Sequence, residues 1–303
     1  EIIGPAMLEH DAADQAGLDA RLVGLDGTPD KSRLGGNATI AVSMAAAQAA
    51  AAARGLPLWR HLGGEEVCTL PLPEIQILGG GAHAAGRLDV QDFLVVCPGA
   101  ASFAQALDWT AEVYRAAGGL LAEDGLLKGV ADEGGYWPEL AGNEAALALL
   151  ARAIERAGFR AGEQVAIALD VAASQLGRDG RYRLARDGRE LDTGGMIELL
   201  LGWLERYPIV SIEDPLAEDD PQGFVAFTRQ VRGRCLVVGD DFLVSDAGRV
   251  RAAAQSGACS AVLLKPNQRG TLSETLRCRE AARECGYATI VSARSGETED
   301  TSI

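Results

Sequence analysis

Residues 207–215, YPIVSIEDP, run apolar and β-branched and then break into two acids and a proline. A continuous apolar run of this length reads as a strand buried on both faces, delivering Glu213 and Asp214 at its carboxyl end. The rhythm recurs in PLPEIQIL (71–78), DFLVVC (92–97), VAIALDV (165–171), CLVVGDD (235–241), AVLLKPN (261–267) and ATIVSA (288–293). Helical patterns such as NEAALALLARAIERAG and TLSETLRCREAAREC lie between them. Buried strands alternating with helices predict a parallel α/β sheet or barrel. Seven strands are one short of a closed (β/α)8 barrel, and an open version would leave buried-type edges unpaired. The expectation is a chain lacking its last barrel strand, and a start at Glu1 likewise suggests a missing N-terminal segment.

The first part of the chain has another texture. From Asn37, a good N-cap, ATIAVSMAAAQAAAAAR reads as a small-residue helix stopped by Gly55 and Pro57, with no strand pattern around it. Residues 1–68 are therefore read as the helical part of an N-terminal domain and 69–303 as the barrel.

Composition narrows the function. The chain has 303 residues, 48% of them hydrophobic, and can bury a large core. A net charge of −15 argues against non-specific binding to nucleic acid or an anionic membrane, which would repel it. Small ligands remain, and a cation could bridge an acidic site to an acidic ligand. The six cysteines follow neither zinc-site nor disulfide-scaffold spacing, which suits a reducing, cytoplasmic compartment. No run of about eighteen apolar residues predicts a membrane span.

Read to their carboxyl ends, the strands present Asp92, Asp170, Glu213 with Asp214, Asp240 with Asp241, Lys265, and then Ala293, Arg294 and Ser295. In a parallel barrel these ends share one face, where barrel active sites lie. Singly, each acid reads as well as a helix cap. Acids at three successive strand ends, with no histidine or cysteine among them, read as an oxygen cage for Mg²⁺. Lys265 is one of three lysines among the 28 basic residues. With a desolvated stem near a cation it is suited to losing its proton and acting as a base; the bland alternative is a lysine that neutralises the acids. Glu133 in ADEGGYWPEL and His83 in LGGGAHAAG sit in glycine-rich loops, each a weak signal by itself.

SIEDPLAEDD, VVGDDFLVSD, LLKPNQRGTLSET, ADEGGYWPEL and SARSGETEDTSI together resemble the characteristic segments of the enolase (phosphopyruvate hydratase) family, in the same order, and residues 25–62 resemble that family's capping domain. The resemblance covers essentially the whole chain. It implies a small α+β domain with a modified (β/α)8 barrel, a homodimer or higher homo-oligomer, and Mg²⁺ held by Asp170, Glu213 and Asp240. It implies Lys265 as the base at carbon 2 of 2-phosphoglycerate and Glu133 as the acid that helps hydroxide leave carbon 3. Asp92 assists there, and His83 belongs to a loop that closes over the substrate. Gln91, Arg294 and Ser295 are implied as substrate-binding, the last two at the phosphate.

Two positions depart from the family pattern. Asp92 stands where the family has glutamate, so its reach is one methylene shorter, and Ala293 stands where the family has histidine. Three readings follow. The first is ordinary enolase chemistry in glycolysis. The second is a diverged paralogue acting on a related phospho or phosphono compound, resembling the carboxyphosphonoenolpyruvate synthases of natural-product biosynthesis. The third is a non-catalytic enolase-like binding or scaffold protein, which the intact acids and Lys265 argue against.

Overall fold

The computed structural model describes residues 2–64, 69–231, 233–292 and 294. The chain opens with four helices, α1 (Ile3–Met7), α2 (Gln15–Asp26), α3 (Gly36–Ala53) and α4 (Leu58–Gly63). Next come β1 (Glu74–Gly79), β2 (Asp92–Val96), α5 (Phe103–Glu123), β3 (Leu127–Val130), β4 (Tyr136–Pro138), α6 (Asn143–Arg156) and β5 (Ala166–Asp170). A small hairpin sheet, β6 (Gly177–Arg178), β7 (Arg181–Leu184) and β8 (Arg189–Asp192), precedes α7 (Thr193–Arg206), β9 (Ile209–Glu213), α8 (Pro221–Val231) and β10 (Leu236–Gly239). The described chain closes with α9 (Ala247–Ser256), β11 (Ala261–Leu264), α10 (Pro266–Arg269), α11 (Leu272–Glu284) and β12 (Ala288–Val291).

All seven predicted strands form. The packing divides the chain into two compact units, one spanning Leu70–Phe242 with Gln255–Ser260, the other holding the N-terminal helices with Leu243–Ala254 and the chain from Ala261 onward.

In the first unit the strand order is β10-β9-β5-β2-β1-β4-β3. Strands β10, β9 and β5 are parallel, as their apolar runs predict. Ala166 to Leu169 of β5 are fully buried, which is why that strand lacks an apolar and polar alternation. Strand β2 breaks the rule: it is antiparallel to β5 on one side and to β1 on the other. The expected parallel arrangement therefore fails at β2, because the twelve residues between β1 and β2 carry no crossover helix, only a short 3₁₀ turn at Gly81–Ala84. Without a crossover the chain returns beside β1 in the opposite direction.

In the second unit β11 and β12 pair in parallel. Ile40, Ala47 and Leu272 form a small core there, with Met44, Leu58 and Leu62 packed against it, so α3 and α4 cover α11. The start of α11 is fixed by polar contacts: Ser43 Oγ accepts from Leu272 N (3.0 Å) and Asp19 Oδ2 from Ser273 N (2.9 Å). Lys31 Nζ lies 3.1 Å from Glu274. Asn37 does not cap α3. The helix begins two residues earlier than that cap implies, at Gly36 after Gly35, whose φ of +90° favours glycine.

No helix among the described residues is long and apolar enough to cross a membrane.

Candidate active site

The acids of the first unit gather at one end of its sheet. Asp170 is the last residue of β5 and lies in register with Glu213, the last residue of β9. Glu213 is in turn in register with Val238 of β10, so Asp240 follows two residues beyond that level. Asp170 and Asp240 are buried and Glu213 half-buried. Strands that end together in parallel place these three carboxylates on one rim for the reason the sequence predicts.

Asp92 reaches the same rim by another route. It is the first residue of β2, not a carboxyl-end residue as expected. Because β2 is antiparallel, its start lies at the level where β5 finishes, and Asp92 pairs with Asp170. Gln91 joins the two acids, donating through Nε2 to Asp170 Oδ2 at 2.8 Å and reaching Asp92 Oδ2 at 3.5 Å. Asp170 Oδ1 accepts from Ala172 N at 2.8 Å, which orients that carboxylate from behind.

His83 and Glu133 complete a second cluster. His83 Nδ1 lies 3.2 Å from Asp92 Oδ1 and 3.9 Å from Glu133 Oε1. The hydrogen bond to Asp92 holds the imidazole above its ordinary titration range although partial burial opposes the charge. Glu133 lies in the expected loop, which is the turn of the β3–β4 hairpin; that turn closes through Ala131 N donating to Gly135 O (2.8 Å) and contains Gly134 at φ +94°.

Asp214, to which no role is assigned from sequence, is the most deeply placed acid of the rim. It is 2% exposed and adopts φ +37°, a left-handed backbone that Asp tolerates better than most residues. Its Oδ1 accepts from Asp240 N (3.0 Å) and its Oδ2 from Asp241 N (2.7 Å), so it ties β9 to the turn that carries Asp240. Burial first, and then the charge of Asp240, push its carboxyl up to about 8. Asn143 was also missed. Fully buried at the start of α6, it accepts from Asp89 N (2.9 Å) and Val90 N (3.0 Å) and donates to Asp89 Oδ2 (2.9 Å), anchoring the segment that leads into Gln91 and Asp92.

Among the described residues, potential ligand atoms lie within 4.8 Å of one another inside each of two sets: Asp214, Asp240 and Asp241 form one, and His83, Asp92 and Glu133 the other. Of the three expected magnesium ligands only Asp240 belongs to either set. The donors along β5, β9 and β10 are nonetheless all carboxylate oxygen, the chemistry that suits a hard divalent cation.

In the second unit Lys265 directly follows β11 and caps α10. Its backbone is held by Ser245, whose buried Oγ accepts from Lys265 N at 2.8 Å and bonds Leu263 O at 3.2 Å. Ser245 lies at φ +52°. Arg294 is exposed. Ala293 and Ser295 lie outside the described residues.

Residues 67–303 match the family described as Enolase, C-terminal TIM barrel domain, and residues 1–62 match Enolase, N-terminal domain. With both domains matched along nearly its whole length, the chain belongs to the enolase family, a family of lyases built on a modified α/β barrel.

Proposed function

We propose that this lyase is a magnesium-dependent hydro-lyase that converts 2-phosphoglycerate to phosphoenolpyruvate and water. The observation that carries the reading is the convergence of Asp92, Asp170, Glu213 and Asp240 on one rim, with His83 and Glu133 beside Asp92. Asp170, Glu213 and Asp240 would hold magnesium. The cation, when bound, supplies positive charge that stabilises the second negative charge developing next to the substrate carboxylate.

The remaining chemistry belongs to side chains. Lys265 Nζ takes the proton from carbon 2, and the electron pair left behind forms the double bond as hydroxide departs from carbon 3. Glu133 delivers a proton to that departing oxygen, which leaves as water. Asp92 and His83 orient Glu133, while Gln91 keeps Asp92 and Asp170 in step. Arg294 and Ser295 bind the phosphate. The same reading carries a homodimer or higher homo-oligomer in the cytoplasm, the former measurable by sedimentation velocity.

The departures at Asp92 and Ala293 favour a second reading, in which the same metal and base act on a related phospho or phosphono acid. Incubation with Mg²⁺ and 2-phosphoglycerate, followed by the ultraviolet absorbance of the enol ester, separates the two. A rate at background that Ala293→His does not raise overturns the first reading.

A further inference from the structure

Gln76 is a buried primary amide between Ile75 and Ile77 on β1, 4% exposed. A polar group in that setting is costly unless both ends of the amide are bonded. Here both are. Gln76 Nε2 donates to Asp92 Oδ1, and Gln76 Oε1 accepts from Gly135 N at 2.7 Å. The orientation is fixed by the partners, since only the oxygen can meet a backbone N–H and only the nitrogen can serve a carboxylate.

The neighbouring glycines make room for it. A Cβ at Gly135 would lie 2.6 Å from Gln76 Oε1 and 2.9 Å from its Cγ, and one at Gly79 would meet Ala131 Cβ at 2.3 Å and Gln76 Nε2 at 3.3 Å. Gly135 is not in a left-handed conformation, so space is the reason for glycine there.

These contacts close a ring. Gln76 holds Asp92, Asp92 holds His83, His83 faces Glu133, and the turn carrying Glu133 returns through Gly135 to Gln76. We infer that Gln76 is a positioning residue that couples Asp92 to the Glu133 turn and so sets the spacing of the two acids at the leaving group. The shortened acid at position 92 is thereby met by a donor reaching out from β1. The inference rests on the proposed role of Glu133 and Asp92 in expelling hydroxide.

The test uses the full chain and the variants Gln76→Leu, which keeps the bulk and removes both bonds, and Gln76→Glu, which keeps the acceptor for Gly135 and removes the donor to Asp92. Amide hydrogen exchange over 131–138 reads the anchor without reference to activity. Gly135 exchange should quicken roughly tenfold in Gln76→Leu and stay near wild type in Gln76→Glu. With Mg²⁺ and 2-phosphoglycerate, both variants should lose about 10–100-fold in kcat for water loss. KM and solvent exchange of the carbon-2 hydrogen should hold within about twofold. A parallel fall of water loss and carbon-2 exchange overturns the inference, as does unchanged Gly135 exchange in Gln76→Leu. If the wild type does not turn over 2-phosphoglycerate, the proposed function fails by itself, and Gly135 exchange alone decides for or against Gln76. Should Gln76→Leu not fold, Gln76→Asn, too short to span both partners, replaces it in both arms.

Discussion

Replacing Asp214 probes the rim without touching any of the three expected ligands. Its carboxylate accepts the N–H groups of both Asp240 and Asp241 from a buried position. Asp214→Ala leaves both donors unsatisfied, at about 1–3 kcal/mol each. It also forces alanine into a left-handed backbone, for about 1 kcal/mol more. Against this stands the relief of removing an acid that burial and Asp240 already disfavour as an anion. The net expectation is a loss of about 2–4 kcal/mol in urea unfolding. Asp214→Asn tolerates the backbone and keeps one acceptor, so it should lose about half as much. Because the bonded N–H groups lead directly into Asp240, calorimetric titration of Mg²⁺ or Mn²⁺ should show affinity weakened about 10–100-fold in both variants. Unfolding within about 0.5 kcal/mol of wild type for Asp214→Ala, together with divalent affinity within about twofold, would refute the reasoning.

Asn143→Ala should cost about 2–4 kcal/mol, because it strands the buried N–H groups of Asp89 and Val90, and it should raise hydrogen exchange through residues 80–91; unchanged exchange there counts against the anchor. Gly135→Ala should destabilise by about 1–3 kcal/mol by pushing its Cβ against Gln76, measured as a lower urea midpoint at constant slope. His83 titrates above its ordinary range in the fold, so the stability that it adds is complete below about pH 6.5 and fades as pH rises through the folded value. The difference in melting temperature between wild type and His83→Gln should accordingly be larger at pH 6 than at pH 9, and a constant difference would exclude the pairing with Asp92.

The legible part of the fold is the part with strong periodicity. YPIVSIEDP, VAIALDV and CLVVGDD are long apolar runs with acids at their ends, and β9, β5 and β10 form where those runs predict. The strands missed are short or polar. Strands β3, β4 and β6 to β8 have two to four residues each, and the hairpin sequence RYRL alternates exposed arginine with buried Tyr182 and Leu184 over too few positions to stand out. Strand direction was not legible at all for β2, since an apolar run reads the same both ways and only the missing crossover helix betrays it. Within the site, Asp92 is legible as an acid at a strand end, while His83 and Glu133 are weak loop signals whose roles come only with the family resemblance; the structure brings the three together. Asp214, Asn143 and Gln76 were passed over because each acts on backbone or on another side chain, and such partners are set by tertiary contacts.

The reversed course of β2 has a consequence for how this rim tolerates change. Asp170, Glu213 and Asp240 stand where strands finish, so the segments after them can vary in length while the acids stay in place. Asp92 stands where a strand begins, paired with Gly79 across the hairpin, and residues 80–91 are pinned at both ends of that pairing. A residue gained or lost there must be absorbed within the turn that carries His83, because a one-step slip of β2 would turn Asp92 to the opposite face of the sheet. Either outcome displaces His83 or Gln91 from its present partner. Loop length between 79 and 92 is thus as much a part of the site as the acids themselves.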